Sequence, residues 1–379
     1  MRFDLSEDVE FFRATASRFI ADEMPVTATR ALESDADGFD RDTWRRAAEL
    51  GWTSLLAPAS LGGGGLSANA VADLAVVAEE MGRRVAPGPL LPVNVVVDAL
   101  ARSGQPALVD DVAPGLMAGD TIAAWALAES RDVWGIDGLG ETVVLEDGDD
   151  FVVSGHKRFV EAAASADVIL VSAMSAGGPA QVLVDASAAG LAVVPGRSVD
   201  LVRRFADLHL DGVRVPARAV VGQLGGAADD IEHQCQLALA LQVAETVGGL
   251  DHVYAMTLEY LEDRWSFGRP LASYQALKHR LADMLLMLET AKGCADAAAD
   301  AVGTASASAR RDVSVAKAYV ASAAIEILGE CVQLHGGIAM TWEHDLHLYE
   351  RRAAVNRAVY GSPEHHEELL CALVETGAV

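Results

Sequence analysis

The spacing of apolar residues changes twice along this sequence, and that change limits the fold more than any other feature. Up to about Gly115, and again after about Ala227, apolar residues recur at helical spacing. Between about Asp120 and Gly222 they instead form short β-rich runs, such as ETVVLE and DVILVSA, separated by Gly, Asp and Ser. We therefore predict an α+β protein, mostly α, with a central β-barrel or sandwich between two helical regions.

The second helical region contains three long segments with helical spacing. They are Asp229–Trp265, Tyr274–Ala301 and Ser308–Leu334. Together with a shorter terminal helix they predict a four-helix bundle. The predicted domains are an N-terminal helical domain (1–117), a central β-domain (118–225) and a C-terminal four-helix bundle (226–379).

The composition excludes several classes of protein. A formal net charge of −26 at pH 7 disfavours binding to nucleic acid and to anionic membranes, since both repel an acidic surface. The charged start of the sequence is unlike a signal peptide, and no stretch approaches the roughly 18 apolar residues of a membrane span. The four cysteines show no metal-type spacing, which indicates free thiols. We expect a soluble cytoplasmic protein without a metal site.

The stretch RWSFGRPLASYQ, which begins at Arg264, interrupts the helical pattern of the bundle. One interpretation is a helix–helix corner, in which Phe267 and Gly268 end one helix and Pro270 fixes the turn. That interpretation explains the glycine and the proline. It leaves Arg264 and Gln275 without a role, so a binding function is the alternative.

A second stretch, CVQLHGGIAM, places paired glycines at the end of a long predicted helix. Gly336 and Gly337 allow another group to approach the backbone closely. Gln333 and His335 beside them supply hydrogen-bond donors. A helix-end loop of small residues with such donors suits a pyrophosphate, although an ordinary helix end gives the same glycines.

Five motifs together resemble the acyl-CoA dehydrogenase family, in family order and at family spacing along nearly the whole chain. They are AELGWTSLLAPASLGGGGL, VAEEMGRRVAPGPLL, VSGHKRFVEAAASADVILVSA, RWSFGRPLASYQALKHRLADM and QLHGGIAMTWEHDLHLYERR. The resemblance implies a helical domain, a β-domain and a four-helix bundle. It also implies oxidation of acyl-CoA thioesters to 2,3-enoyl-CoA with FAD, and electron transfer to an electron-transfer flavoprotein.

The resemblance gives the two stretches a shared role in binding the FAD of a neighbouring subunit. Arg264 would pair with the pyrophosphate, for which a planar guanidinium is well suited. Phe267 would line the adenosine region and Gln275 would donate a hydrogen bond there. The remaining candidates for this half-site, all on the second stretch, are Gln333, His335, Gly336 and Gly337.

The sequence departs from the family where the catalytic base is expected. Many members carry a carboxylate in a Tyr-Glu-Gly-Thr motif near the C-terminus, whereas Tyr360 stands in its place here. Other members place the base on the first long helix of the bundle, near Ala238 in this chain. Glu245 lies seven residues further on, and burial in an apolar helix is expected to raise its pKa, which makes it the candidate base. A structural carboxylate at a subunit contact is the alternative, and Glu364 is a weaker candidate.

The part of the β-domain that holds the flavin in the family also departs from the pattern. The family sequence Thr-Glu-Pro-x-Ala-Gly-Ser-Asp is replaced here, and Ala128 stands where the threonine is expected. Glu161 takes the position of another threonine. Trp125, Leu127 and Phe159 remain as residues that could pack against a flavin ring.

These departures resemble the base-lacking subunit of bacterial α2β2 enzymes that dehydrogenate steroid-CoA side chains. In such an enzyme a distinct acyl-CoA dehydrogenase subunit supplies the base and most of the flavin site. Two alternatives stay open: a self-sufficient homo-oligomer that uses Glu245 as its base, and a non-catalytic structural or regulatory member. His335, His344 and His347 lie at spacings that resemble those of metal ligands, but Glu343 and His344 belong to a core signature of this family, so a metal role is not expected.

Overall fold

The computed structural model describes residues 6–130 and 133–377. Six helices of this part precede the sheet: α1 (Glu7–Glu23), α2 (Val26–Ala31), α3 (Arg41–Glu49), α4 (Ala70–Arg84), α5 (Leu90–Arg102) and α6 (Pro106–Met117). Helix α1 begins where Ser6 Oγ accepts the amide of Val9 at 3.4 Å. It buries Phe12, Ala16 and Ile20 at the spacing that predicted it.

The middle of the chain forms one eight-stranded sheet. Its strands are β1 (Ala123–Ala126), β2 (Val143–Asp147), β3 (Asp150–Glu161), β4 (Val168–Ser175), β5 (Gly178–Asp185), β6 (Leu191–Pro195), β7 (Phe205–Pro216) and β8 (Val220–Val221). They lie in the order β6-β7-β3-β2-β4-β5-β8, and β1 pairs with β4. The long pairs, β3 with β7 and β4 with β5, are antiparallel, whereas β1 runs parallel to β4.

The rest of the chain is a helical bundle interrupted by a small hairpin. The helices are α7 (Ala228–Asp263), α8 (Gln275–Gly303), α9 (Ala309–His335), α10 (Leu346–Ala358) and α11 (Pro363–Thr376), and the hairpin strands are β9 (Trp265–Ser266) and β10 (Arg269–Pro270). The order of helical region, central sheet and helical bundle confirms the predicted fold. The domain limits at 117 and 225 stay a prediction.

Two glycines allow helices α4 and α7 to cross with their backbones in contact. A Cβ atom on Gly82 would lie 1.9 Å from the carbonyl oxygen of Glu245. A Cβ atom on Gly248 would lie 1.9 Å from the carbonyl oxygen of Glu79. Because neither glycine has a side chain, the backbones of the two helices can come into direct contact. This contact packs the N-terminal region against the bundle.

The described residues offer neither a membrane-spanning helix nor a cluster of metal ligands. None of the helices combines the length and the apolar character that crossing a membrane requires. The same residues contain no group of three or more His, Cys, Asp or Glu side chains arranged to hold a metal ion.

Replacing Gly248 with alanine should lower the free energy of unfolding by about 3 kcal/mol, because the added methyl group meets a backbone atom that cannot move aside. Gly293 is the control, since it lies in exposed helix α8 with nothing within 4 Å of an added Cβ. Gly293→Ala should raise the stability by about 0.5–1 kcal/mol through helix propensity. Urea denaturation of the isolated chain measures both. Equal effects of the two substitutions would disprove the close crossing.

Candidate functional site

The stretch at Arg264 forms a hairpin between α7 and α8 rather than a simple helix–helix corner. Strands β9 and β10 pair through Trp265 with Pro270 and Ser266 with Arg269. Phe267 sits at the tip with a φ of 51° and is 97% exposed. The exposed side chain of Arg264 forms no ion pair with any residue in the described ranges. The hairpin thus presents a cation and an aromatic ring to the outside of the chain.

The residue before the glycine pair, His335, contacts the last turns of α7, which lead into this hairpin. Tyr260, one turn before Arg264 on α7, donates from its hydroxyl to the carbonyl oxygen of His335 at 3.2 Å. The rings of Tyr260 and His335 stack with their centroids 4.5 Å apart. Beyond His335, a Cβ atom on Gly336 or Gly337 would meet nothing within 4 Å. Space for an approaching group therefore lies above both glycines.

His335 differs from the prediction that it supplies a donor. Its Nδ1 lies 2.9 Å from the carbonyl oxygen of Cys331, and since a carbonyl only accepts, Nδ1 carries the hydrogen. Burial lowers the pKa of His335, so the ring is neutral at pH 7. Its Nε2 is buried and has no hydrogen-bond partner within the described ranges. This nitrogen is an acceptor, and Gln333 is left as the exposed side-chain donor here.

The residues at the hairpin and the glycine pair suit the outer half of a dinucleotide site. Arg264 is available for a pyrophosphate, the glycines expose their backbone, and Gln275 is exposed at the start of α8. Phe267 and Met340, which is 78% exposed, present large apolar side chains to solvent. Such exposed apolar groups are typical of binding surfaces. Arg264, Phe267 and Gln275 are all exposed on the surface of the chain.

Aromatic side chains cover two of the chain's own flavin-contact candidates, Trp125 and Phe159. Trp125 is buried and stacks on Tyr360, with ring centroids 5.7 Å apart. Trp134 packs its edge on Tyr360 at 5.4 Å and lies 6.3 Å from Phe159. Leu127 is buried and lines a cleft of about 330 Å³ beside Tyr360. An isoalloxazine ring between Trp125 and Phe159 would have to displace aromatic side chains of this chain.

A network of buried charges lies next to these aromatic residues, and it contains Glu245. Arg203 Nε lies 3.0 Å from Glu161 Oε1, and Arg203 Nη2 lies 3.1 Å from Glu245 Oε2. Arg352 donates to Glu245 Oε1 at 2.6 Å and also pairs with Asp200. We call these five residues the buried ion network. It joins β3, the segment between β6 and β7, α7 and α10.

The expectation that Glu245 has a raised pKa is wrong. Burial alone would raise the pKa of this carboxyl, but Arg203, Arg352 and a 2.9 Å hydrogen bond from Asn356 outweigh burial and lower it. Both oxygens accept hydrogen bonds from these partners. A carboxylate held in this way is a weak and obstructed base. Its geometry is that of a structural ion pair.

The raised pKa belongs to Glu161 instead. Burial raises it, and the charges of Glu245 and Asp200 add to the effect against the attraction of Arg203. Neither of the other C-terminal candidates provides a base. Burial, followed by the charge of Glu161, raises the pKa of Tyr360 well above its usual range, so the phenol stays neutral. Glu364 is exposed and pairs with Arg357 at 2.6 Å.

Buried side chains fix the turn that carries Tyr360, whose φ is 63°. Lys317 is buried and donates to the carbonyl oxygen of Val359 at 2.8 Å. His366 Nε2 lies 3.0 Å from the carbonyl oxygen of Tyr360, and its Nδ1 lies 3.2 Å from Ser314 Oγ. Burial lowers the pKa of His366 to about 4. The neutral ring therefore donates through Nε2 and accepts from the serine through Nδ1.

Residues 6–120 match the family described as acyl-CoA dehydrogenase, N-terminal domain, and residues 237–373 match acyl-CoA dehydrogenase, C-terminal domain. The chain belongs to the acyl-CoA dehydrogenase family. Members of this family are FAD-dependent oxidoreductases that act on a CH–CH bond of acyl-CoA. The enzyme class and cofactor expected from the sequence are thereby confirmed.

Several relatives of this acyl-CoA dehydrogenase come from mycobacteria. It is 31% identical over 360 residues to the acyl-CoA dehydrogenase IpdE2 of Mycobacterium tuberculosis, which covers 94% of each chain. It resembles the crystal structure of the ChsE4-ChsE5 complex from Mycobacterium tuberculosis with a TM-score of 0.88 and 27% identity, over 99% of each chain. A variant of the Tcur3481-Tcur3483 steroid ACAD gives a TM-score of 0.87 and 28% identity, over 98% of this chain and 99% of that one.

Three residues of the site were not found by sequence reasoning. Arg203 and Arg352 are the partners of Glu245, and they lie 42 and 107 residues away from it in sequence. Trp134 lies in the segment that has lost the family pattern. Arg352 lies in the motif LYERR, where contact with a CoA phosphate or a place at the flank of the bundle were the two interpretations, and neither predicted its pairing with Glu245.

Glu245→Gln should lower the free energy of unfolding by about 3–5 kcal/mol, because it leaves two buried guanidiniums without their shared carboxylate. Arg214→Met breaks an ion pair between half-exposed side chains and should leave the stability almost unchanged. Urea denaturation of the two variants makes the comparison. A fully stable Glu245→Gln protein would contradict the structural role of Glu245.

The stability of the chain should fall as the pH drops from about 6.5 to about 4, in part because of His366. The folded state keeps this ring neutral, so the unfolded state binds a proton first and gains free energy as the pH falls. His366→Asn should remove on the order of 2 kcal/mol from this decline. Unfolding free energies of both proteins across this pH range provide the test. Parallel curves would show that His366 does not cause the decline.

Proposed function

We propose that this chain is one subunit of a heteromeric acyl-CoA dehydrogenase that introduces a 2,3 double bond into an acyl-CoA. In this proposal its hairpin and glycine pair complete the FAD site of a distinct partner subunit, which supplies the catalytic base. The observation that carries the proposal is an imbalance within one chain. The glycines of the outward half-site are open, whereas Tyr360 and Trp134 cover the chain's own flavin-contact residues, and Glu161 and Glu245 of the buried ion network are paired with arginines.

Each residue of the half-site would have a defined task in the assembled enzyme. Arg264 would neutralise the pyrophosphate, and the backbone at Gly336 and Gly337 would approach it closely. Gln275 and Gln333 would donate hydrogen bonds to the same region. Phe267 would cover the adenosine and exclude water from it. The FAD supplies the acceptor for the hydride that leaves the β-carbon of the substrate.

The relatives support a heteromeric arrangement and a ring-containing substrate. One similar structure is a complex of two named chains, ChsE4 and ChsE5, and another is described as a steroid ACAD. We therefore propose an α2β2 assembly whose substrate is a steroid side-chain CoA thioester. The electrons would pass to an electron-transfer flavoprotein, as in the family. The partner would hold the substrate next to its own base.

The two alternatives make different demands on the structure. A self-sufficient homo-oligomer needs a base, and Glu245 is held by two arginines with a lowered pKa. A structural or regulatory member needs no half-site, whereas Arg264 and the space above the glycines are available here. Flavin content and turnover of the isolated chain distinguish the homo-oligomer from the heteromer, and flavin content of the co-expressed complex distinguishes the structural member from the heteromer.

The isolated chain should purify with far less than one FAD per chain and should not turn over acyl-CoA. Co-expression with the second dehydrogenase subunit should restore bound flavin and activity. In that complex Arg264→Ala should weaken FAD binding by 10- to 100-fold, since a charge-assisted contact to phosphate is lost. Arg269→Ala, five residues along the same hairpin, is the matched control and should leave FAD binding unchanged, because Arg269 lies over the ring of Tyr274.

Flavin absorbance and fluorescence titration measure these effects. Stoichiometric FAD with robust turnover in the isolated chain would refute the heteromeric proposal in favour of the homo-oligomer. A complex that stays free of flavin would favour the structural role.

A further inference from the structure

A second cleft, of about 240 Å³, lies where helices α1, α4, α7 and α8 meet. We call it the charged cleft. It shares no lining residue with the half-site, with the buried ion network or with the cleft beside Tyr360. The reaction proposed above therefore gives the charged cleft no role, although its volume is sufficient for a small molecule.

The floor of the charged cleft is apolar and consists of short side chains. Val76 of α4, Val247 of α7 and Ala295 of α8 are buried there, and Ala75 and Ala244 extend the same surface. These side chains offer contact to methylene groups and no hydrogen bond. An occupant should therefore have an apolar middle part.

The walls of the charged cleft carry ionic side chains of both signs. Arg83 Nε lies 3.2 Å from Glu80 Oε1, and Lys292 Nζ lies 2.5 Å from Asp251 Oδ1. With these two acids, five carboxylates share three cations, so the group has a formal excess of two negative charges at pH 7. The ionic residues that line the cleft itself are Arg13, Arg83, Lys292, Glu79, Glu289 and Asp296.

The cations of the chain already contribute their full charge. Burial opposes the charge of Lys292, but hydrogen bonds to Asp251 and Glu289 outweigh burial and raise the pKa of Lys292. Burial also opposes the charge of Arg83, and Asp251 and Glu79 outweigh it in the same way and raise the pKa of Arg83. Compensation of the two excess negative charges therefore requires positive charge from outside the chain.

One carboxylate oxygen in the charged cleft is left without a donor. Glu289 Oε1 accepts a hydrogen bond from Lys292 at 2.9 Å. Glu289 Oε2 is shielded from solvent and accepts no hydrogen bond from any residue in the described ranges. A shielded carboxylate oxygen without a donor is costly, and an occupant that donates to it would remove that cost.

We propose that the charged cleft binds a small organic dication, namely a diamine whose two ammonium groups are joined by a short methylene chain. One ammonium group would donate to Glu289 Oε2, and the methylene chain would lie on the floor of alanines and valines. The second ammonium group would compensate the remaining excess charge. A metal ion fits less well, because Arg13, Arg83 and Lys292 line the same space and the floor has no ligand atoms.

The probe is 1,5-diaminopentane, and isothermal titration calorimetry of the isolated chain at low salt measures its binding. It should bind at one site per chain. Glu289→Gln removes one excess charge and the carboxylate, and it should weaken binding about tenfold or more. Glu326→Gln on α9 is the matched control, since Glu326 is exposed and lies outside the cleft. The control should bind like wild type, and thermal melting checks that both variants fold.

Equal binding to wild type and Glu289→Gln would overturn the proposal, because the diamine would then be attracted only by the net negative charge of the surface. If Glu289→Gln fails to fold, Ala295→Leu fills the floor and should give the same loss.

Two further ligands test the wild-type chain without any variant. Pentylamine has the same methylene chain and only one charge, so it should bind about tenfold more weakly than the diamine. Equal affinity for both amines would refute the proposal. Displacement of the diamine by Mg²⁺ would show an inorganic cation site and would also refute it. The charged cleft is independent of the proposed function and none of these measurements requires the partner subunit, so failure here and failure of the heteromeric function are distinguishable.

Discussion

The buried ion network is the interaction on which the rest of the structure depends. Glu161, Asp200 and Arg203 come from the sheet region, whereas Glu245 and Arg352 come from α7 and α10. Burying each charge is costly, and only the pairing of all five makes it tolerable. Because the partners come from both layers, the sheet and the bundle have to meet in one register for any of them to be satisfied. The network therefore specifies how the two layers dock.

The same network determines what chemistry the chain can perform. Three carboxylates share two guanidiniums, so one carboxylate is left less well compensated, and that is Glu161, whose pKa is raised. Glu245 is paired with both arginines, which lowers its pKa and makes it a poor base. With Tyr360 neutral beside it, none of the three carboxylates of the network is free to deprotonate a thioester. Under the heteromeric proposal, the chain would instead contribute a half-site for a dinucleotide on its outer surface.

The sequence predicted the fold well because long amphipathic helices and punctuated strands carry their signal locally. Helix α7 runs from Ala228 to Asp263, against the predicted Asp229–Trp265. The half-site stays a prediction, and it could be made from the sequence because its residues lie in two short motifs at the ends of α7 and α9. The pKa of Glu245 could not be predicted from the sequence. The apolar helix around Glu245 showed that the side chain would be buried. The sequence did not show that Arg203 and Arg352, which are distant in sequence, would contact it in the folded chain. The hairpin at Phe267 was not predicted, because each of its strands has only two residues. Strands that short show no detectable alternation of apolar and polar side chains.

The rigidity of the half-site has a thermodynamic consequence for assembly. Tyr260 bonds and stacks on His335, so the hairpin and the glycine pair are held together before any ligand arrives. A preorganised surface loses little conformational entropy on binding, and more of the interaction energy therefore appears as affinity. If the dinucleotide touches two subunits, its binding and their association must strengthen each other by the same factor. Exposed groups such as Phe267 and Met340 add an apolar contribution to that coupling, since contact with a partner and with the ligand would remove both from water. Under the heteromeric proposal, a chain without its own base would thus remain indispensable, because it would make flavin retention conditional on assembly.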